Sequence, residues 1–124
     1  MELGRMEVDR RPMLRALLEV LRSGKDPWYR ATAAGTMATM GPAAESAVPG
    51  LIAALADKEE CVRRYAAKAL GAIGPQAKDA IPALEKLLSD PTSAPKTSKR
   101  PSVAQEAKAA IEKIQAGKRE PAPP

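Results

Sequence analysis

Apolar side chains recur at one-turn spacing along most of the chain, with polar residues between them. Apolar residues at i, i+3, i+4 and i+7 form the buried face of an amphipathic helix. The stripes are Leu14/Leu17/Leu18/Leu21, Val48/Leu51/Ile52/Leu55, Val62/Ala66/Ala69/Leu70/Ile73, Ile81/Leu84/Leu87/Leu88 and Val103/Ala107/Ala110/Ile111/Ile114. Turn sequences such as SGKDP, MGP and IGP separate them. The pattern predicts six helices, near residues 12–22, 28–40, 46–56, 60–73, 79–89 and 102–115.

The chain repeats itself with a period of 33 residues. A gapless comparison of residues 30–57 with 63–90 gives these identical pairs: Arg30/Arg63, Ala33/Ala66, Ala34/Ala67, Gly41/Gly74, Pro42/Pro75, Ala44/Ala77, Ala47/Ala80, Pro49/Pro82, Leu51/Leu84, Leu55/Leu88 and Asp57/Asp90. A partial copy at 102–114 follows after eight extra residues, which lie in the segment PTSAPKTSKRP. A fixed period of this length is typical of a solenoid.

The stretch GPQAKDAIP, residues 74–82, separates two of the predicted helices. Gly74 is expected to end the first helix in the left-handed conformation, and Pro75 prevents its continuation. Asp79 is expected to cap the next helix, and Pro82 then falls in the first turn, where its missing N–H costs little. The earlier copy has Gly41, Pro42, Ser46 and Pro49 in the same places.

The core AVPGLIAALADKEECVRRYAAKALGAIG, followed by AIPALEKLLSD, resembles the HEAT-repeat family, in particular the short bacterial repeats of bilin-lyase-like proteins. In that family each unit is a pair of antiparallel helices, A then B. The matching residues are Pro49, Asp57, Val62, Arg63, Ala66, Ala67, Ala69, Leu70 and Gly71. The resemblance implies an all-α fold, a short right-handed α-solenoid of about three helix pairs at 12–40, 46–73 and 79–115.

The resemblance also implies a structural ladder that includes Asp57 and Arg63, in which each Arg bridges acidic groups of successive turns. Asp26 and Arg30 are only four residues apart, which leaves the register of the first unit open. Ala104 replaces the Arg in the third unit, so the ladder is expected to stop there.

The segments outside the repeats are Pro-rich, charged or both. We interpret residues 1–11 as an N-terminal extension and 12–115 as the solenoid, interrupted by a mobile inserted loop at 91–101. The basic tail at 116–124 has the composition of a disordered segment.

Composition supports closely packed helices and limits the possible chemistry. The 124 residues include no Phe, one Trp and two Tyr, so the core has to be built from aliphatic side chains and much Ala. Ala and Leu favour helices, whereas strands favour aromatic and β-branched residues. Cys61 is the sole cysteine and no signal-type or membrane-length apolar run occurs, so we expect a cytoplasmic protein without membrane contact.

No residue set in the sequence points to catalysis. The chain has no His, which removes the commonest general base and nitrogen metal ligand. Cys61 is interpreted as a small residue at a helix start, and Glu59–Glu60 as acidic residues that favour the helix N-terminus. We therefore predict no catalytic residues, no cofactor and no metal.

The predicted function is a protein–protein interaction or scaffold module, acting as a small subunit or adaptor. The resemblance places the B helices on the concave face, and the partner-binding residues predicted there are Ala31, Ala34, Gly35, Ala38, Arg64, Ala67, Lys68 and Gly71. The partner is expected to be a helix, an extended peptide or a second copy of the chain. Tight packing between neighbouring helices is the other interpretation of this small, apolar set.

Two further functions stay open at this stage. The net charge of +5 permits binding of duplex DNA, through Arg63, Arg64, Lys68, Lys108 and the loop at 96–100. The resemblance to bilin-lyase-like proteins suggests an accessory subunit of such an enzyme system.

Overall fold

A computed structural model describes residues 11–90 and 102–116 of the chain. Across these ranges the helices are α1 (Arg11–Ser23), α2 (Pro27–Met40), α3 (Val48–Ala54), α4 (Glu60–Ile73), α5 (Ile81–Leu87) and α6 (Val103–Ala116). Two 3-10 segments, Gly41–Ala47 and Gly74–Ala80, join α2 to α3 and α4 to α5. The all-α class and the helix pairs α1–α2, α3–α4 and α5–α6 agree with the prediction. Residues 1–10, 91–101 and 117–124, which hold most of the predicted extension, the loop and most of the tail, lie outside the described residues.

The second helices of the three pairs, α2, α4 and α6, pack side by side with α4 in the middle. The first helices cover one side of this row, so that the core lies between the two layers. Its largest fully buried side chains are Met37, Leu51, Leu70, Ile73, Leu84, Ile114, Val62 and Val103. Each of these side chains except Met37 belongs to a predicted apolar stripe. The stacked helix pairs form a short solenoid.

The two 3-10 segments have the same backbone geometry, as expected of a repeated sequence. Gly41 and Gly74 have φ of 60° and 85°, and Ala44 and Ala77 have φ/ψ of −93°/16° and −94°/18°. The ψ angles of the two glycines are −137° and −146°, so they end α2 and α4 as predicted but outside the left-handed helical region. That combination of angles is almost restricted to glycine.

The predicted caps Ser46 and Asp79 are wrong. The helices α3 and α5 begin two residues later than predicted, after Ala47 and Ala80, and no side chain caps them. The 3-10 segments lead directly into these helices, and Val48 N–H donates to the carbonyl of Glu45. Because backbone acceptors are already in place, a side-chain cap is not needed. The first-turn positions of Pro49 and Pro82 agree with the prediction.

Candidate protein-binding surface

The row of second helices contains all eight residues predicted to contact a partner. Those buried inside the solenoid are Ala31, Ala34, Arg64, Ala67 and Gly71. Gly35 and Ala38 are half-buried, and Lys68 is exposed. The buried five have almost no accessible surface, so Gly35, Ala38 and Lys68 are the more accessible members of the set.

Close approach of α4 and α6 explains why small residues are buried here. A Cβ atom added at Gly71 would lie 2.9 Å from Cα of Ala110 and 3.1 Å from its Cβ. The stem of Lys113 lies over the same position, with Cδ 3.5 Å from the added atom. The sequence allowed two interpretations of these small residues, tight helix packing and a docking groove. At Gly71 the structure shows tight helix packing. Its signal was the glycine itself, since a Gly inside a helix often marks a close approach.

Arg64 is a buried cation in α4. Its Nε lies 3.4 Å from Oε1 of Glu60 one turn earlier, and its guanidinium carbon lies 5.0 Å from the centre of the Tyr65 ring. Within residues 11–90 and 102–116 this Nε finds no hydrogen-bond acceptor. The carboxylate and the ring offset part of the cost of burying the charge. Arg64 is thus an internal side chain, which sequence alone did not predict.

Two arginines connect successive helix pairs in the same way. Arg30 donates from Nε and Nη2 to the carboxylate of Asp57, at 3.0 and 3.1 Å, and from Nη1 to the carbonyl of Gly24 at 2.8 Å. Arg63 donates from Nε to the carboxylate of Asp90 at 2.8 Å, and from Nη1 to the carbonyl of Asp57 at 2.8 Å. Each arginine therefore binds its own turn through a carbonyl and the next turn through a carboxylate. Asp57 takes part in both links.

The register of the first unit follows from this geometry. Gly24 stands 33 residues before Asp57 and occupies the corresponding place in its turn. Asp26 is the N-cap of α2, and its carboxylate accepts from the N–H of Trp28 at 2.8 Å, while the Arg30 guanidinium binds the carboxylate of Asp57 instead. The ladder therefore begins at a glycine carbonyl, and its first acidic member is Asp57.

The ion pair between Arg30 and Asp57 is mostly shielded from water. Burial alone would raise the pKa of Asp57, but hydrogen bonds from Arg30 and from the N–H of Glu59 bring this pKa below its ordinary value. The hydrogen bond with Asp57 likewise raises the pKa of Arg30, against the opposite effect of burial. Both groups stay charged near neutral pH, and the pair holds two repeats together.

A groove of about 320 Å³ opens between α2 and α4 on the side away from the first helices. We call it the concave groove; it is lined by Trp28, Ala31, Thr32, Gly35, Thr36, Thr39 and Tyr65. None of these side chains is charged. Trp28 is 68% exposed at one end, and the ring of Tyr65 lies beside Gly35. Of these residues, Ala31 and Gly35 belong to the predicted partner-binding set, whereas Trp28 and Tyr65 were not predicted.

The threonines of the concave groove direct their hydroxyl protons to their own helix. Thr32 donates to the carbonyl of Trp28 at 2.8 Å, Thr36 to that of Thr32 at 2.9 Å, and Thr39 to that of Thr36 at 2.6 Å. Because these hydroxyl donors already have acceptors, a partner that covers the groove does not leave them buried without a hydrogen bond. Residues 28, 32, 35 and 39 recur at helical spacing on the side of α2 opposite the buried Met37, and this periodicity is the signal by which the sequence could have indicated the groove.

A larger groove, of about 570 Å³, lies between α1 and α3. Its lining combines the charged Arg15, Glu19, Arg22 and Asp57 with apolar residues of both helices, such as Leu18 of α1 and Ala53 of α3. Glu19 and Arg22 form an exposed ion pair of 2.7 Å at its edge. This groove was not predicted from the sequence.

The described residues bear on three further features: metal binding, free thiols and membrane-spanning helices. Residues 11–90 and 102–116 hold no group of three His, Cys, Asp or Glu side chains arranged to bind a metal ion. Cys61 is a half-buried free thiol in the first turn of α4. None of the helices in those ranges combines the length and the apolar character that crossing a membrane requires.

Comparison with protein families identifies the repeat. A family model described as HEAT repeats matches residues 14–98, more than half of the chain. The chain belongs to the HEAT-repeat family. HEAT repeats commonly mediate protein–protein interaction as scaffolds and are generally non-catalytic. The match is to HEAT repeats as a whole, so the bacterial and bilin-lyase-like qualifiers of the resemblance stay predictions. A search of curated proteins gives no match.

The HEAT solenoid uses two of the four basic residues predicted to bind DNA for internal contacts. Arg63 is tied to Asp90 and to the turn at Asp57, and Arg64 is buried beside Glu60. Lys68 and Lys108 are exposed, on α4 and α6. The loop at 96–100 lies outside the described residues.

Proposed function

We propose that this HEAT-repeat protein is a non-enzymatic interaction module, a small subunit or adaptor, that binds a helix or extended segment of a partner protein in the concave groove. The observation that carries the proposal is the uncharged groove between α2 and α4, with an exposed Trp28 at its end. Trp and Tyr are the residues most enriched among those that dominate binding energy at protein interfaces. A cytoplasmic location stays part of this proposal.

The groove suits an apolar anchor side chain of the partner. Gly35 has no side chain to fill the space in front of the Tyr65 ring. The threonine hydroxyls already have acceptors, so an apolar group placed there does not bury an unpaired donor. Lys68 follows Gly35 at the equivalent position of α4, 33 residues later, and it is exposed. We therefore expect the partner segment to carry an acidic residue beside its apolar anchor.

The α1–α3 groove receives less support as the binding site, although it is larger. Its exposed Glu19 and Arg22 already neutralise each other, and Leu18 extends over Gly50, where an added Cβ would lie 2.7 Å from Leu18 Cδ2. Binding there would have to displace these contacts. It provides the matched control surface for the concave groove.

The test is selection of peptides from a displayed random library on the purified protein, followed by measurement of the selected peptides on variants. Thr32→Arg fills the concave groove from an exposed position, and Ala53→Arg places the same side chain in the α1–α3 groove from an equally exposed one. We expect Thr32→Arg to weaken binding at least about 30-fold, the effect of losing an interface hot spot, and Ala53→Arg to change it little.

Two results would contradict the proposal. Peptides that bind both variants as well as the original protein would remove the concave groove from consideration. Peptides lost only with Ala53→Arg would move the site to the α1–α3 groove. Helical circular dichroism of each variant checks that it is folded, and Lys68→Glu tests the expected preference for an acidic neighbour.

A further inference from the structure

The two ends of the solenoid differ in the residues they present. In α4 and α6, the side chains that face the preceding helix are buried; they are Val62, Ala69 and Ile73 in α4 and Val103, Ala110 and Ile114 in α6. The corresponding positions of α2 are Tyr29, Thr36 and Met40. No preceding helix pair covers them in the described residues, and Tyr29 is 62% exposed.

The helix α1 adds to the same side. At about 3.6 residues per turn, Met13 and Val20 fall on the opposite side of α1 from Leu18, which contacts α3 at Gly50. Met13 is 45% exposed and Val20 is 37% exposed. We call the surface formed by Met13, Ala16, Val20, Tyr29, Thr36 and Met40 the N-terminal face; Thr36 lies at the edge that it shares with the concave groove.

The other end of the solenoid is polar along its second helix. The α6 positions that correspond to the buried Arg64, Ala67 and Gly71 are exposed, and they are Gln105, Lys108 and Glu112. Polar outer positions are what a terminal repeat needs for solubility. The C-terminal end therefore has a cap, whereas the N-terminal face presents large apolar side chains.

We propose that the N-terminal face is an interface between two copies of this chain, which associate head to head around a two-fold axis. The repeat shows what covers such a face inside the molecule, namely the side of another helix pair with the same fold. A two-fold contact brings the same patch of both copies together, so each copy covers the other.

Charge supports a second copy as the occupant. A charged face would meet its own charge across a two-fold axis and repel it, but the N-terminal face has no charged side chain. The charged residues Arg15, Glu19 and Arg22 of α1 lie on the other side, in the α1–α3 groove. Head-to-tail stacking is disfavoured, because it would bury Lys108 and Glu112 against this apolar face.

The size of the face indicates a reversible dimer. Helices of 13 and 14 residues are each about 20 Å long, so the two side by side offer several hundred Å² per copy. Stable interfaces bury about 800 Å² per partner, which places this contact at the lower end of the range. We expect a dissociation constant in the micromolar range.

The test is sedimentation of the purified full chain from nanomolar to several hundred micromolar concentration. We expect a monomer–dimer equilibrium for the original chain. Tyr29→Asp and Val20→Asp put a charge on both sides of the interface, so each should raise the dissociation constant at least about 30-fold. Leu88→Asp, at a residue 47% exposed near the other end of the solenoid, should leave it unchanged.

Cross-linking gives an independent measurement. In a Cys61→Ser background, Ala16→Cys on the N-terminal face should form a covalent dimer with a short bismaleimide, and Ala53→Cys on α3 should not. Both alanines are exposed. Mixing Val20→Asp with Val20→Lys should restore association, which shows that each variant is folded.

Several outcomes would overturn the proposal. One is a chain that sediments as a monomer at every concentration, because another part of the same chain then covers the face. Another is a dimer that resists both Tyr29→Asp and Val20→Asp, or one that only Leu88→Asp dissociates. Peptide binding in the concave groove is measured separately on Tyr29→Asp, so a loss of self-association does not remove the proposed function.

Discussion

The two junctions between successive HEAT repeats share one link and differ in packing. In both, an arginine of the second helix reaches the aspartate 27 residues ahead, as Arg30 does with Asp57 and Arg63 with Asp90. At the second junction, Gly71 brings the backbones of α4 and α6 together. At the first junction the equivalent residue is Ala38, and the next residue, Thr39, lines the concave groove. The arginine link is the same at both junctions, whereas the small residue at this position is Ala in α2 and Gly in α4.

Among substitutions at the junctions, the largest expected effect comes from removing the Asp57 carboxylate, which binds Arg30 of the preceding repeat. Asp57→Ala leaves Arg30 buried without its carboxylate, and loss of one partner of a buried pair costs about 3 kcal/mol. We expect the free energy of unfolding, measured with urea, to fall by that amount. Asp26→Ala, which removes only an exposed cap, should cost about 1 kcal/mol. Equal losses for the two variants would contradict the structural role given to the ladder.

A smaller effect on stability is expected from replacing a glycine in each of the two helices α2 and α4. Gly71→Ala forces a Cβ to within 2.9 Å of Ala110, and overpacking of this kind costs about 1–3 kcal/mol. Gly35→Ala places its Cβ 3.4 Å from the Tyr65 ring, an ordinary contact, and gains up to about 1 kcal/mol because Ala is the better helix former. The two substitutions are chemically identical. Measured by chemical unfolding, however, Gly71→Ala should lower the free energy of unfolding and Gly35→Ala should raise it. The same sign for both would contradict the difference in free space around the two glycines.

Acid should weaken the first junction progressively. Because the pKa of Asp57 is lowered in the folded protein, its stabilisation is complete above the unfolded-state pKa of about 3.9 and is lost as pH falls through the lower folded-state value. We expect the difference in unfolding free energy between the original protein and Asp57→Asn to be constant near neutral pH and to shrink below about pH 4. A difference that stays constant into strong acid would argue against the ion pair.

The smallest expected effect is at the end of the concave groove. Trp28 is 68% exposed, so Trp28→Ala should change the free energy of unfolding by no more than about 0.5 kcal/mol. Leu70→Ala, at a fully buried position of α4, should cost about 2–5 kcal/mol in the same measurement. A large loss for Trp28→Ala would mean that the indole supports the fold, which would weaken its assignment to partner binding.

The candidate surface was predicted less well than the fold. Ala31, Ala34 and Ala67 have the small size expected of a docking groove, but size suits an internal helix interface equally well. A single helix shows which residues share a side, and it does not show which neighbour covers that side. The accessible members, Gly35, Ala38 and Lys68, differ from the buried ones only in where the next helix lies.

The amino-acid sequence alone is enough to predict the helices, the period of the repeat and the family of this protein. A 33-residue repeat of Gly-Pro, first-turn Pro and apolar stripes determines them through local backbone preferences and side-chain periodicity. Tertiary structure decided the partners of the ladder, the burial of Arg64 and the position of the concave groove. These depend on how closely neighbouring helices approach, a distance of a few ångströms set by packing between residues far apart in the chain.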